Sequence, residues 1–210
     1  WRNVRMSFNG NYWGALGVFV AMPIAASITL GLLAPVASRM SSNYIGRNLK
    51  LGTASFNTDA NLGDLYRNFG TTIVFAIVGS IVLGLVLAIV GSAVAFPFMS
   101  LAGSSVMEVF TVGGAIGGMI GLYVMLLLAF VYYMAGVRNV AFNGTVLEGG
   151  HRFVSSLGRM RYAWIILSNL VVTLLTVTLM HPWATVRNWR YLTDRTTVVT
   201  SGSLDSFNDA

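Results

Sequence analysis

Four stretches of this chain contain no Asp, Glu, Lys or Arg, and they limit its possible folds more than any other feature. They cover residues 6–38, 68–107, 109–137 and 162–186. A helix needs about 20 mostly apolar residues to cross the hydrocarbon core of a bilayer, and each stretch is longer than that. Only 10% of the residues are charged, whereas a soluble domain carries about 25%. The pattern therefore predicts an integral membrane protein rather than a soluble domain with buried helices.

The expected fold class is an α-helical polytopic membrane protein with about four transmembrane helices and short β-prone ribbons between them. The whole chain, 1–210, is predicted to be a single membrane domain. Tyr and Trp lie near the predicted helix ends, where the headgroup layer favours amphipathic rings. The spans are placed at about 12–33, 71–95, 110–134 and 162–180.

A repeated phrase closes the first and the fourth of these spans. At a constant offset of 147 positions, residues 29–45 align with residues 176–192 without a gap. We interpret the two passages as parts of repeat units that cover 4–56 and 140–207. The identical pairs are Thr29 and Thr176, Leu32 and Leu179, Pro35 and Pro182, Ala37 and Ala184, and Tyr44 and Tyr191.

Short β-prone runs flank the apolar spans. Runs that begin at Arg47, Arg138 and Arg195 each lead to a glycine turn, and residues 4–10 look similar. We predict that these ribbons form one small sheet at the membrane surface. The alternative is a set of unrelated turns of similar composition.

Two paths through the membrane stay open. Four full crossings place eight basic residues on one side and five on the other, a weak asymmetry under the positive-inside rule. If the chain instead breaks near Thr29 and Thr176 and turns back, all 13 basic residues lie on one side. The stretch after each break is polar and short for a return crossing, so four crossings are the preferred prediction.

Small residues recur at a spacing of four within the predicted spans, which places them on one face of a helix. Such faces let helix backbones approach closely in a membrane. A glycine-lined pore is the alternative, but few polar groups accompany these glycines. The candidate packing residues are Gly84, Gly113, Gly117 and Gly121.

Polar groups near the span ends are the candidate binding residues. Asn169 and His181 form a candidate intramembrane polar site, although an interhelical hydrogen bond or an interfacial position explains them as well. Arginines beside aromatic residues attract anionic headgroups by about 1 kcal/mol each, and generic anchoring is the alternative. The candidate lipid or partner contacts are Arg159, Arg161, Arg187 and Arg190.

No pattern in the sequence indicates catalysis. Glu148 and His151 have an E-x-x-H spacing, but Gly149 and Gly150 between them predict a loop rather than a metal-binding helix. A P-loop, a zinc-protease helix and a nucleophile elbow are all missing. We therefore expect no enzyme activity, no metal and no cofactor. Cysteine is also absent, so the chain has no disulfide or thiolate site.

Three segments together resemble the YjgN family of bacterial inner-membrane proteins. They are residues 1–10, the Thr-Leu-Gly…Pro phrase at 29–35, and the Pro-Trp-Ala…Arg-x-x-Arg-Tyr ending at 182–191. The resemblance covers essentially the whole chain, which departs from the family pattern at Val36 (usually Trp) and Thr178 (usually Gly). It implies inner-membrane residence, no established activity, and correspondence to the later portion of a longer protein.

The expected function is that of a multi-pass inner-membrane protein of unknown molecular role, a non-enzymatic scaffold that interacts with lipids or a partner. The alternative is a transporter or channel for a small solute. Membrane lipids are the expected partners, and nucleic acid is not, because the basic residues are few and lie at the predicted span ends. An unidentified protein partner or a homo-oligomer stays open.

Overall fold

Short strands from three parts of the chain pair into one antiparallel sheet in the computed structural model, which describes residues 5–201. The sheet order follows the chain order, so the prediction of one shared sheet is confirmed. Residue 4 and residues 202–207 of the proposed repeat units lie outside the described residues. The strands are β1 (Met6–Phe8), β2 (Leu49–Leu51), β3 (Ala54–Thr58), β4 (Thr145–Leu147), β5 (His151–Ser155) and β6 (Thr196–Val199).

Helical segments join alternate strands. Between β1 and β2 lie α1 (Tyr12–Leu16), a π-helical turn (Gly17–Ala21), α2 (Met22–Ile28) and α3 (Ala34–Asn48). Between β3 and β4 lie α4 (Leu62–Leu101) and α5 (Val106–Asn143), and between β5 and β6 lie α6 (Arg159–Leu175) and α7 (His181–Asp194). The chain therefore leaves the sheet three times and returns each time to the neighbouring strand.

The sheet has a small apolar core on one face. Alternate residues of β3 are buried, as expected for a strand with one covered face, and Ala54 and Phe56 pack with Leu147. Helix α3 lies close to β3, since a Cβ on Gly46 would overlap the Thr58 side chain. Helix α3, which leads into β2, thereby covers β3.

Gly70–Tyr132 forms a compact unit of its own, and the described residues before and after it form a second unit. Within the 70–132 unit, the two long helices approach through glycine. A Cβ on Gly113 would lie 2.8 Å from the Gly91 carbonyl oxygen, and one on Gly121 would lie 2.9 Å from Gly84 Cα. A Cβ on Gly117 would overlap the backbone of the facing helix.

The prediction of four transmembrane helices is wrong. Among the described residues, α4 and α5 are long and apolar enough to cross a membrane, and they contain the predicted spans 71–95 and 110–134. The predicted spans 12–33 and 162–180 stop short, because α2 ends at Ile28 and α6 ends at Leu175. The next helix then packs back on the one before it. This backbone path matches the alternative in which the chain breaks near Thr29 and Thr176.

The first break is built around one hydroxyl group. Thr29 Oγ1 donates to the Ala25 carbonyl at 3.0 Å, which also accepts from Thr29 N, and it accepts from Leu33 N at 3.3 Å. The hydroxyl therefore supplies an acceptor for an amide at the start of the next helix. Leu30 and Gly31 follow with φ of 52° and 88°, which reverses the chain. Apolar character is uninterrupted through this turn, and hydropathy therefore suggests a continuous span.

The second break repeats these bonds 147 positions later. Thr176 Oγ1 donates to the Val172 carbonyl at 2.7 Å and accepts from Met180 N at 3.3 Å. Val177 and Thr178 take the left-handed conformation with φ of 47° and 67°. A proline in the first turn of each returning helix then favours a new helix start.

Thr178→Gly should stabilise the second break. An L-residue in the left-handed region costs about 1–2 kcal/mol, whereas glycine adopts it freely. We expect the free energy of unfolding in detergent, followed by circular dichroism, to rise by about 1 kcal/mol. The reciprocal control, Gly31→Thr, should lower it by a similar amount because Gly31 has φ of 88°. Equal stability of wild type and Thr178→Gly would contradict strain at this position.

Candidate functional site

A polar cavity of about 270 Å³ lies where α4 begins and α5 ends, next to the sheet. Each of these helix ends meets a strand, since β3 precedes α4 and β4 follows α5. The cavity thus collects side chains from positions far apart in the sequence. Its polar lining residues are Asp59, Asn61, Asp64, Arg67, Asn68, Asn139, Asn143 and Arg159.

Asn68 forms the floor of this cavity. It is 2% exposed, its Nδ2 donates to the Tyr133 carbonyl at 3.0 Å, and its Oδ1 accepts from Arg159 Nη1 at 2.8 Å. A Cβ at Gly136 would overlap the Asn68 amide, so glycine is needed for the asparagine to lie against α5. A hydrogen bond from a charged group is stronger than a neutral one, and it orients the half-buried Arg159 guanidinium.

The two carboxylates of the cavity each pair with an arginine. Asp59 Oδ1 accepts from Arg39 Nη2 at 3.1 Å, and Asp64 Oδ1 lies 2.7 Å from Arg67 Nη2. The hydrogen bond from Arg39 holds the pKa of the Asp59 carboxyl below its usual range. Asp59 therefore stays ionised at neutral pH, unlike a general acid, which needs a raised pKa.

Asn139 shapes the wall of the cavity. Its Oδ1 accepts from Leu157 N at 2.9 Å and from Ser155 Oγ at 2.8 Å, while its Nδ2 donates to the Leu157 carbonyl at 2.9 Å. These bonds join the end of α5 to the segment before α6. Asn139 thus positions the chain that carries Arg159.

Sequence reasoning missed the asparagines of this cavity. A signal in the sequence was the Arg–Asn dipeptide, which occurs at 2–3, 47–48, 67–68, 138–139 and 187–188. In the folded chain, Asn48, Asn68 and Asn139 each donate Nδ2 to a backbone carbonyl, and Asn68 and Asn139 line the cavity.

A second polar cluster clamps the α6–α7 hairpin. Arg187 Nη1 donates to Ser168 Oγ at 2.7 Å and to Asn169 Oδ1 at 2.9 Å, and Asn169 Nδ2 donates to the Ala184 carbonyl at 3.1 Å. The Arg187 guanidinium carbon also lies 5.3 Å from the centre of the Trp183 ring. These partners are neutral, so no carboxylate among them balances the guanidinium.

The candidate residues from the sequence do not converge on one site. Arg159 lies in the polar cavity, while Arg187 and Asn169 lie inside the hairpin. His181 begins α7 and borders a shallow groove of about 300 Å³ that Asn169 also lines. Arg161 and Arg190 are exposed, and Arg161 Cζ is 5.8 Å from the Tyr191 ring centre.

Within residues 5–201, no group of three or more His, Cys, Asp or Glu is placed to hold a metal ion. Glu148 instead fastens the sheet, because its Oε2 accepts from Ser55 N and Ser55 Oγ at 3.0 Å each. The hydrogen bond from Ser55 N lowers the pKa of Glu148. The Glu148–His151 segment forms the turn between β4 and β5 and the start of β5.

Comparison with known proteins identifies a family for this chain. A family model described as "Bacterial protein of unknown function (DUF898)" matches residues 1–210, the whole chain. No curated protein and no solved structure matches.

Gly136→Ala should disturb the floor of the polar cavity. The new methyl group would overlap the Asn68 amide and weaken its bond with Arg159, which should lower the free energy of unfolding by about 2 kcal/mol. The matched control is Gly118→Ala in the same helix, where nothing lies within 4 Å of the new Cβ. Circular dichroism in detergent measures both variants. Equal stability of the two would contradict the assigned role of Gly136.

Proposed function

Because the chain belongs to the DUF898 family of bacterial proteins of unknown function, we propose its role from its geometry. It is a non-enzymatic, multi-pass protein of the bacterial inner membrane whose basic residues engage lipid headgroups. The observation that carries this proposal is a pair of helical hairpins, α1 to α3 and α6 to α7, with apolar tips. The tips are the turns that follow Thr29 and Thr176.

The tips consist of large apolar side chains that the protein itself does not cover. Leu30 is 94% exposed, Val177 80% and Leu179 83%. Soluble monomers rarely display contiguous apolar patches of this kind outside binding surfaces. We infer that both tips insert into the bilayer and turn back within it, which agrees with the satisfied backbone at Thr29 and Thr176.

The long helices support membrane residence independently. Outward-facing residues of α4 and α5 within 70–132 are mostly apolar and exposed, including Ile81, Leu85, Ile89, Ile116 and Ile120. Hydrocarbon is the solvent that suits such a surface, provided that every backbone group is paired within a helix. We propose that these two helices cross the membrane.

Charge is divided between the two units in a way that suggests an orientation. Residues 70–132 contain no Lys or Arg, so the 12 basic residues within 5–201 all belong to the unit with the sheet. Cytoplasmic segments of inner-membrane proteins carry the excess of Lys and Arg. We propose that the sheet faces the cytoplasm, with Arg159, Arg161, Arg187 and Arg190 among the residues near headgroups.

The two hairpins are further proposed to be copies of one unit. Besides the threonine bonds, Tyr44 Oη donates to the Asn11 carbonyl at 2.7 Å and Tyr191 Oη donates to the Gly158 carbonyl at 3.3 Å. Both tyrosines and both acceptors are separated by 147 positions. A common origin explains why the two hairpins share the same bonds at the turn and near the end of the returning helix.

A transporter or channel for a small solute is the second candidate, and the polar cavity favours it. Reconstituted vesicles test this role by proton flux with a trapped pH dye and by light scattering during a solute gradient. Flux that Arg159→Gln abolishes would support transport. Vesicles as tight as protein-free ones would support the non-transporting role.

Cysteine labelling tests the insertion of the hairpin tips. The chain has no cysteine, so single introduced thiols report without background. Leu30→Cys and Leu179→Cys should resist a membrane-impermeant maleimide in spheroplasts and in inverted vesicles, because a thiol in hydrocarbon does not ionise. Both should react after detergent is added.

The control is Arg152→Cys on the exposed part of β5, which should react in inverted vesicles only. Tip cysteines that react in spheroplasts would mean full crossings. Tip cysteines that react together with Arg152→Cys would mean that the tips lie in water. Either result overturns the proposed insertion.

A further inference from the structure

We propose that the first hairpin, α1 to α3, holds one anionic phospholipid in a groove along α3. This inference rests on the proposed membrane role and names the lipid class. The groove has a volume of about 460 Å³. Val18, Val36 and Met40 form its apolar wall, and Arg39 and Arg47 form its basic edge.

The basic edge follows from the helical repeat of α3. Arg39, Asn43 and Arg47 are spaced by four residues and therefore lie on one face, over about 12 Å of helix at 1.5 Å per residue. Val36 and Met40 stand next to this row on the same helix. A polar row beside an apolar wall suits an amphiphile, with phosphate on the arginines and an acyl chain on the wall.

Asp59 holds the deeper end of the basic edge in place. Its Oδ1 accepts from Arg39 Nη2 at 3.1 Å and from Asn43 Nδ2 at 3.5 Å, and Asn43 Oδ1 in turn accepts from Ala60 N at 2.9 Å. Arg47 is exposed at the other end of the groove. Arg47 is therefore the residue placed to meet a phosphate, while Arg39 is oriented by Asp59.

The second hairpin provides an internal comparison. At the offset of 147 positions, Val186 replaces Arg39 and Asp194 replaces Arg47. Trp183 occupies the position of Val36, and its ring lies beside Arg187. The shared backbone is therefore not the cause of the groove, which depends on side chains specific to the first hairpin.

The π-helical turn is a second difference at the same place. It covers Gly17–Ala21 and contributes Val18 to the groove, whereas α6 is a regular α-helix over the equivalent residues. Single π turns are frequent at functional sites. Phe19 packs edge-on against Tyr44 with ring centres 5.9 Å apart, which holds α3 against this turn.

Two variants remove the two halves of the site. Arg47→Gln removes the charge, and Val36→Trp fills the apolar wall with the residue that the second hairpin has at this position. Native mass spectrometry of the full chain in detergent compares phosphatidylglycerol with phosphatidylcholine of the same acyl chains. Wild type should retain one phosphatidylglycerol in preference to phosphatidylcholine.

Arg47→Gln should weaken retention of phosphatidylglycerol about tenfold, the loss of one charged hydrogen bond. Val36→Trp should abolish retention without a change in charge. The control Arg5→Gln removes the same charge outside the groove and should retain the lipid as wild type does. Circular dichroism checks that each variant is folded.

Three results would overturn the bound lipid: wild-type retention by both variants, equal retention of phosphatidylcholine by wild type, or displacement of the lipid by glycerol 3-phosphate. The last would assign the site to a free phosphate compound. None of them alters the labelling of Leu30→Cys and Leu179→Cys, which reports on membrane insertion alone. Failure of the lipid site and failure of the proposed function are therefore distinguishable.

Discussion

The rest of the structure depends on how a helix ends among apolar residues. A helix that stops leaves carbonyl and amide groups without partners, and in an apolar setting each is costly. At both breaks backbone amides already bond the carbonyls Ala25 O and Val172 O, and the hydroxyls of Thr29 and Thr176 add an acceptor for Leu33 N and Met180 N at the start of the next helix. Because the break is satisfied internally, the chain reverses there, and each hairpin returns to the strand beside the one it left.

This return explains the sheet. Strands of three to five residues are too short to be stable alone, but β2, β4 and β6 each follow directly on a helix that ends beside the partner strand. Polar side chains concentrate where α4 begins and α5 ends, and there Asn68 and Asn139 bond to backbone carbonyls. Apolar side chains concentrate at the tips and along α4 and α5. The separation of polar and apolar surface is thus a consequence of chain path, and the proposed membrane orientation follows from it.

The two small hairpins share a backbone and differ in chemistry. In the second, Arg187 joins the two helices through Ser168 and Asn169, and its guanidinium lies over the Trp183 ring. In the first, smaller side chains leave a groove with Arg39 and Arg47 at its edge. The same turn therefore supports an arginine that bonds across the hairpin in one copy and a groove edged by arginines in the other.

Sequence alone determined the apolar stretches, the β-prone ribbons and the repeated threonine phrase, because these are local properties of composition and spacing. Only the tertiary structure decided that the chain turns back at Thr29 and Thr176, since hydropathy does not register a hydroxyl bonded to its own helix end. The cavity was equally out of reach, because Asn68 and Arg159 meet across 91 positions. That contact depends on strand pairing, which brings the start of α4 close to the start of α6.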